Sequence, residues 1–214
     1  AAILNSHNKF AEAATAFEPV ISGPYSLVQD YNFIFEPEGE NNAESIFEVQ
    51  YSDEEGAGFG CLQCSEGNVA VGFNGVRNIS YPNPDDAVFD SGFSFNVPVQ
   101  EVVDEFSDDD IRKDVAVLDI EAHAAATGAS YAIGYEHTGY YNRKYIARAG
   151  DLNTGDQNLT NPNNYRAIRF ADVLLMASEA NFKSGNEVKF LNKKINLKSY
   201  STVNNKFFDK KIFS

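Results

Sequence analysis

Two amphipathic helical patterns, one near each end of the chain, constrain its fold most strongly. In residues 9–21 the apolar side chains recur at steps of four, three and four, on one helical face: Phe10, Ala14, Phe17 and Ile21. The second pattern is longer and continuous: Ile168, Ala171, Leu174, Leu175, Ser178 and Phe182. Gly185 follows it, where a helix of this length would end. Because a one-sided helix must bury its apolar face, we predict that both segments belong to one helical-repeat scaffold.

The region between these two predicted helices has a different sequence pattern. Residues 23–106 consist of short runs bounded by Gly, Pro, Asn and Asp, which predicts loops with a few short strands. Residues 45–51 alternate as a strand does, and the spacing of valines in residues 99–106 predicts a short helix. Residues 56–95 hold seven glycines and predict a long surface loop carrying isolated aromatic residues. The predicted fold class is mainly α with short strands and long loops.

The charge of the chain limits its partners. It has 31 acidic and 17 basic residues, a formal net charge of -14, which repels phosphate backbones and anionic membrane surfaces. Its longest apolar stretch, residues 171–177, is interrupted by Asp172 and is far shorter than the roughly 20 residues that span a bilayer. We therefore expect neither a nucleic-acid partner nor a membrane-crossing segment.

The composition changes abruptly after Gly185. Residues 186–214 carry seven Lys and two acidic residues, whereas residues 1–185 carry ten basic and twenty-nine acidic residues. The tail also lacks Ala, Gly, Pro and Arg, as AT-rich codons in a slipped reading frame would produce. We predict one partial domain over residues 1–185 and an atypical Lys- and Asn-rich tail over residues 186–214, frame-shifted or truncated. An ordinary basic C-terminal helix is the alternative.

The two cysteines form the motif Cys61-Leu62-Gln63-Cys64. This spacing suits a redox pair or half of a zinc site, but a redox pair belongs beside a βαβ pattern, and zinc needs two more ligands. The sequence offers neither context. We expect a local disulfide or two bystander thiols, and no metal.

Two acidic runs invite comparison with calcium loops. We interpret Ser107-Asp108-Asp109-Asp110 as a solvated turn whose end caps the segment that starts at Ile111. Residues 151–156 begin like an EF-hand loop, but Gly and Asp are exchanged at its fifth and sixth positions, and Pro162 replaces the bidentate acid. The EF-hand is rejected, and a calcium site of looser geometry is left open.

Four blocks of sequence resemble, in order, the landmarks of the SusD/RagB family. The first comprises residues 8–14 and 20–27, and the second is Asn-Asn-Ala-Glu-Ser-Ile-Phe-Glu-Val-Gln-Tyr at residues 41–51. The third comprises residues 95–106 and 110–114. The fourth comprises residues 141–145 and Asn-Tyr-Arg-Ala-Ile-Arg-Phe-Ala-Asp-Val-Leu-Leu-Met at residues 164–176, followed by Glu179-Ala180. One block could be coincidence, but four in the right order identify the chain as a member of the family.

The resemblance implies tetratricopeptide-type helix pairs, an α-α superhelix, with long loops that shape a glycan site. It implies a non-catalytic outer-membrane protein that binds an oligosaccharide or polysaccharide for a SusC-like TonB-dependent transporter. Such a protein is a surface-exposed lipoprotein, and it needs no cofactor. The family's lipoprotein signal and first helical repeats are missing from the sequence, so we expect an internal fragment.

Sugars present C–H faces and hydroxyl rims, so a binding site needs aromatic rings for stacking and polar side chains for the hydroxyls. The glycine-rich stretch supplies this mixture, and the candidate ligand-binding residues are Phe59, Phe73, Asn74, Arg77 and Tyr81, with Asn78 beside them. Sites of the family often use Trp, which this chain lacks, and each ring could instead pack beneath its own loop. A second aromatic group is expected to line a strand against the core: Tyr131, Tyr135, Tyr140 and Tyr141.

The main alternative is a glycoside hydrolase with paired carboxylates, which 31 acidic residues do not exclude. Asp172 and Glu179 share a helical face but are better explained as partners of Arg166, Arg169 or Lys183. The sequence has neither a Gly-x-Ser-x-Gly elbow nor a His-Glu-x-x-His helix, and its three histidines are scattered, as surface or capping residues are. We therefore expect no catalytic residues.

Overall fold

The chain is mainly α-helical with short strands, as the sequence predicts. The computed structural model describes residues 1–54, 58–61, 64–134, 137–151 and 159–186. The helices in these ranges are α1 (Ala2–Ser6), α2 (Phe10–Ile21), α3 (Val69–Asn74), α4 (Gln100–Asp104), α5 (Lys113–Ala116), α6 (Ile120–Thr127) and α7 (Phe170–Lys183). The strands are β1 (Ser45–Val49), β2 (Val117–Asp119), β3 (Tyr140–Asn142) and β4 (Tyr165–Arg169). Short 3-10 turns lie at Phe33–Phe35, Pro37–Gly39, Pro84–Asp86 and Arg143–Tyr145.

The two amphipathic segments pack against each other, which confirms that they share one helical layer. Helix α2 contributes Ala13, Ala14 and Phe17 to their interface, and α7 contributes Val173, Ala177 and Ala180. The alanines let the two helix backbones approach closely, while full burial of a ring such as Phe17 contributes about 1.5–3 kcal/mol. Gly185, with a φ of +81°, lies just beyond the end of α7 as predicted.

The start of α7 differs from the prediction because a strand precedes it. Strand β4 pairs antiparallel with β1, with Phe47 opposite Ile168 and Glu48 opposite Arg166. Ile168, assigned by its spacing to the buried stripe of the helix, is therefore an exposed strand residue. The helix begins at Phe170 and turns Phe170, Val173, Leu174 and Ala177 inward, while Phe182 lies at the exposed end. Ala171, Leu174 and Ser178 of the predicted stripe are buried as expected, so the pairing with β1 changes where the helix starts.

The glycine-rich stretch is not the long surface loop that its composition predicts. It contains α3, in which Val71 is buried, and then three more buried side chains, Val76, Ile79 and Phe89. Together these are four buried apolar residues. Three of them join a core cluster with residues from β2, α6 and β3, namely Leu118, Ile120 and Tyr141. The prediction was wrong here because its apolar residues are isolated in sequence and gather only when residues 117–146 cover them. Tyr131 and Tyr141 do pack on this core as expected, and Tyr135 lies outside the described residues.

The acidic run before α5 is only partly solvated. Asp110 is buried, and its carboxylate accepts hydrogen bonds from the backbone N–H and the guanidinium of Arg112 at 2.9 Å. The turn is therefore closed by an ion pair, which corrects the interpretation of the whole run as a solvated turn.

Two predictions fall outside the described residues: the nature of the tail, beyond Asn186, and most of the acidic loop, residues 152–158. Both stay predictions. None of the helices described is long and apolar enough to cross a bilayer. In the same ranges no three His, Cys, Asp or Glu side chains are grouped as a metal ion would require.

Candidate functional site

The structure brings two of the five candidate residues, Phe59 and Phe73, into one exposed aromatic cluster. Phe93 and Phe95 complete it. We call Phe59, Phe73, Phe93 and Phe95 the aromatic platform. Phe59, Phe73 and Phe95 expose 65%, 39% and 66% of their surface, and Phe93 is half-buried between them. Large exposed apolar groups in contact with one another are unusual on a protein surface, and they mark binding sites.

The four rings are joined by edge, tilted and stacked contacts, with Phe93 touching the other three. The centroid of Phe93 lies 6.1 Å from that of Phe59, 5.9 Å from that of Phe73 and 5.8 Å from that of Phe95. Phe73 and Phe95 are 5.9 Å apart, and the Phe93 and Phe95 rings are inclined by only 25°. These separations lie in the favourable range for aromatic pairs, so the rings support one another in a fixed surface.

Backbone hydrogen bonds between α3 and residues 92–95 build the platform. Phe93 donates to the carbonyl of Gly72 at 2.8 Å, and Phe95 donates to the carbonyl of Phe73 at 2.9 Å. The two segments touch at glycine, because a Cβ on Gly92 would lie 2.4 Å from the Cα of Gly75. Any side chain at residue 92 would push the segment that carries Phe93 and Phe95 away from α3.

Asn74 supports the aromatic platform from inside the protein. Its side chain is buried, donates to the carbonyl of Tyr145 at 3.1 Å and accepts from the amide of Asn96 at 2.9 Å. Both of its polar groups are therefore engaged inside the protein. Asn96, which is exposed directly after Phe95, is the amide that reaches the surface.

Arg77 lies at the rim of the platform. Its guanidinium donates to the carbonyl of Phe93 at 2.6 Å and lies over the ring of Phe95, 5.7 Å from the centroid. A guanidinium has five N–H donors, so Arg77 can fix both phenylalanines and still offer donors to a ligand hydroxyl. Asn78, the next residue, is exposed.

Tyr81, the fifth candidate, is not part of the platform. Its ring packs on the core cluster of β2, α6 and β3. Its hydroxyl accepts from the N–H of Phe89 at 3.2 Å and lies 2.9 Å from Nε2 of His123. Burial raises the pKa of the Tyr81 hydroxyl, and burial and the charge of Arg143 lower the pKa of His123. The Tyr81–His123 hydrogen bond is thus an internal link, so His123 is not the surface or capping residue that the sequence predicts.

A sequence model of the SusD family matches residues 43–197, well over half of the chain. The chain belongs to the SusD family.

Solved structures agree with this membership of the SusD family. A laminarin-binding SusD-like protein superposes with a TM-score of 0.82 at 29% identity over 93% of this chain. Surface glycan-binding protein A from Bacteroides thetaiotaomicron, in complex with laminarihexaose, gives 0.77 at 29% identity over 95%. The match covers 46% of each of those proteins, so this SusD-family chain spans less than half of their length. A search of curated proteins finds no match.

Asp172 and Glu179, the acidic residues weighed for catalysis, and two buried glutamates of this SusD-family chain have structural partners. Glu44 Oε1 pairs with Arg169 Nη1 at 2.8 Å, and Glu48 Oε1 lies 3.8 Å from Arg166 Nε. Asp172 accepts from the backbone N–H of Arg169 at the start of α7. Glu179 accepts from the amide of Asn5 at 2.9 Å, rather than pairing with a cation of its own helix.

Cys61 and Cys64 form a disulfide, the first of the two outcomes expected from their spacing. Phe93, Phe95 and Asn96 were not singled out as site residues from the sequence. The available signal was the spacing of Phe93 and Phe95, two aromatic residues separated only by Ser94. Ser94 has a φ of +58° and is buried, and its hydroxyl accepts from the N–H of Arg77 at 2.9 Å.

Proposed function

We propose that this chain is part of a non-catalytic surface protein that binds a glycan, and that the aromatic platform is its binding site. The observation that carries the proposal is a set of mutually supported phenylalanine rings, three of them well exposed, with Arg77 and Asn96 at the rim. Flat rings stack on the C–H faces of sugars, and amide and guanidinium groups reach the hydroxyls.

The platform revises the predicted set of ligand-binding residues. Phe59, Phe73 and Arg77 remain in it, and Phe93, Phe95 and Asn96 join it. Asn74 and Tyr81 act behind the surface, since their polar groups are bonded within the protein.

The similar structures suggest the ligand. One is named for laminarin binding and another contains laminarihexaose, so laminarin is the glycan we propose for this chain. As the family resemblance implies, we further propose a surface-exposed lipoprotein of the outer membrane that delivers the oligosaccharide to a SusC-like TonB-dependent transporter. Stacking and hydrogen bonding at the platform would bind a sugar without changing it chemically, as is expected of a protein that passes its ligand on intact.

Calorimetric titration of the full chain with laminarihexaose tests the proposal. We expect Phe95→Ala and Phe73→Ala each to weaken binding about tenfold or more, because a central aromatic anchor contributes about 2 kcal/mol to binding. Phe47→Ala is the matched control: Phe47 is also an exposed phenylalanine, but it lies on β1, away from the platform. Equal affinity of Phe95→Ala and the unaltered chain would remove the platform from the site.

The same samples test the glycoside hydrolase alternative. We expect no new reducing ends when the chain is incubated with laminarin. Release of reducing sugar that disappears on substitution of a single carboxylate would favour the enzyme instead.

A further inference from the structure

The Cys61–Cys64 disulfide stands next to the most isolated ring of the platform. Phe59 lies two residues before Cys61, in a turn closed by a hydrogen bond from the N–H of Cys61 to the carbonyl of Gly58 at 3.0 Å. Gly58 and Gly60 flank the ring, and a Cβ on either would meet no atom within 4 Å. Among the described rings, Phe59 contacts Phe93 alone. The turn thus carries an exposed ring on a sparsely packed backbone.

The other end of the disulfide is attached to a rigid part of the fold. Directly after Cys64, the hydroxyl of Ser65 donates to the carbonyl of Leu159. Asn68 then bonds the carbonyl of Asn161 at 2.7 Å through its backbone and that of Asn163 at 2.9 Å through its side chain. Gly67 is pressed so closely on Thr160 that a Cβ would lie 2.3 Å from the Thr160 Cα. Residues 65–68 are therefore fixed to the segment that precedes β4.

We infer that the Cys61–Cys64 disulfide is a positioning element that holds Phe59 on the aromatic platform, so that glycan affinity depends on the oxidised state of this pair. The inference rests on the proposed function. Through the disulfide, the anchor at residues 65–68 reaches to within two residues of Phe59. Without the disulfide, the turn that carries Phe59 has to become ordered when the ligand binds, and the entropy cost of that ordering lowers the affinity.

The pair is open to chemical reduction. Cys61 is half-buried and Cys64 is exposed, so a small reductant reaches the sulfur atoms. A water-soluble phosphine supplies two electrons: the S–S bond breaks, each sulfur takes a proton from water, and the phosphine becomes its oxide. Disulfides persist in oxidising surroundings such as a cell surface, where the proposed protein would work.

A double-mutant cycle in laminarihexaose binding tests the inference. We expect Cys61→Ser/Cys64→Ser to weaken binding about fivefold and Phe59→Ala about tenfold. The triple variant should match Phe59→Ala, because the disulfide acts through that ring. Phosphine treatment should weaken binding by the unaltered chain and leave the double serine variant unchanged. Undiminished affinity of the double serine variant, or losses that multiply in the triple variant, would overturn the inference.

A measurement without glycan separates this inference from the proposed function. In the oxidised chain we expect a nuclear Overhauser effect between the rings of Phe59 and Phe93, and we expect it to vanish on reduction and in the double serine variant. If the contact persists, the inference fails even when laminarihexaose binds. If the contact vanishes but no glycan binds to the oxidised chain, the positioning role stands and the proposed function fails.

Discussion

The aromatic platform and a second region, which we call the buried ionic seam, depart from ordinary burial in opposite directions. The seam consists of Glu44, Glu48, Arg166 and Arg169, and it puts charges inside the protein. The side chains of Glu48 and Arg166 are 0% and 1% exposed, whereas Phe59 and Phe95 expose about two thirds of their surface. Buried charge and exposed apolar surface are both informative, but they have different meanings.

Most polar atoms of the seam are bonded within the protein, and the two that are not, Glu48 Oε1 and Arg166 Nε, lie 3.8 Å from each other. Arg166 donates to the Asn163 side chain, to the carbonyl of Asn164 and to the carbonyl of Glu36. Glu48 Oε2 accepts from the backbone N–H of Asn41 at 3.1 Å and from the Asn164 amide at 3.2 Å. These bonds tie β1 and β4 to the loops beside them. The seam is therefore scaffold.

The platform has no comparable cover in the described part of the chain, and its rings contact mainly one another. The comparison shows how to separate scaffold from site. Buried charged side chains that are bonded within the protein stabilise the fold, whereas a cluster of apolar side chains left open to solvent indicates a binding site.

The largest expected effect is the loss of one partner in the seam. Arg166→Met leaves Glu48 charged and buried, which lowers the free energy of unfolding by about 3–5 kcal/mol. Urea denaturation measures this change in the free energy of unfolding. Lys9→Ala, which removes the exposed Lys9–Glu12 pair, is the control and costs less than about 1 kcal/mol. Adding Glu48→Leu to Arg166→Met should restore part of the stability. If Arg166→Met lowered the free energy of unfolding no more than Lys9→Ala does, the seam would not be important for the stability of the scaffold.

A smaller effect is expected where the platform meets its support. Gly92→Ala introduces a Cβ 2.4 Å from the Gly75 Cα and 2.5 Å from the Gly72 carbonyl oxygen. We expect the free energy of unfolding to fall by about 1–3 kcal/mol, and glycan affinity to fall with it as Phe93 and Phe95 move. Gly60→Ala, which adds a methyl group in open space, is the control for stability. An unchanged denaturation midpoint for Gly92→Ala would show that the close approach is not required.

Tyr81→Phe tests whether this tyrosine belongs to scaffold or site. The change leaves the Phe89 N–H without its acceptor and Nε2 of His123 without its hydrogen-bond partner, so stability falls by about 1 kcal/mol. Laminarihexaose affinity should not change, in contrast to Phe95→Ala. If Tyr81→Phe weakened laminarihexaose binding but left the free energy of unfolding unchanged, Tyr81 would belong to the ligand site.

The smallest expected effect is a pH dependence that arises from His123. Burial and the charge of Arg143 lower its pKa in the folded chain, so the folded state prefers the neutral imidazole. Its contribution is fully present above the unfolded-state pKa of about 6.5 and is lost as the pH falls towards the lower folded-state pKa. We expect thermal stability to decline as the pH falls below about 6.5, and His123→Gln to reduce that decline. His7→Gln, at an exposed position, is the control; equal slopes for the two variants would contradict the assignment.

Much of the scaffold could be predicted because its signals are local. The helical spacing of residues 10–21 and of residues 170–183 is visible in any short window, and the alternation at residues 45–49 is equally local. Even so, Ile168 was assigned to the wrong element, because pairing with Phe47 across more than a hundred residues decides its conformation.

The site was predicted only in part, because its residues come from segments that meet through tertiary contacts. The sequence indicates aromatic and polar residues between residues 59 and 81, and two of those rings belong to the platform. That Phe93 and Phe95 complete it depends on hydrogen bonds to Gly72 and Phe73, some twenty residues away.

By itself, the sequence determined the class of fold, the two helices that share a layer, and the four blocks by which the family is recognised. These properties follow from periodicity and from the local order of residue types. Only the tertiary structure decided that the glycine-rich stretch builds a core, that Tyr81 and Asn74 face inward, and that four phenylalanines share one surface. The physical reason is that burial of a side chain depends on which distant segment covers it, and a window of neighbouring residues carries no record of that segment.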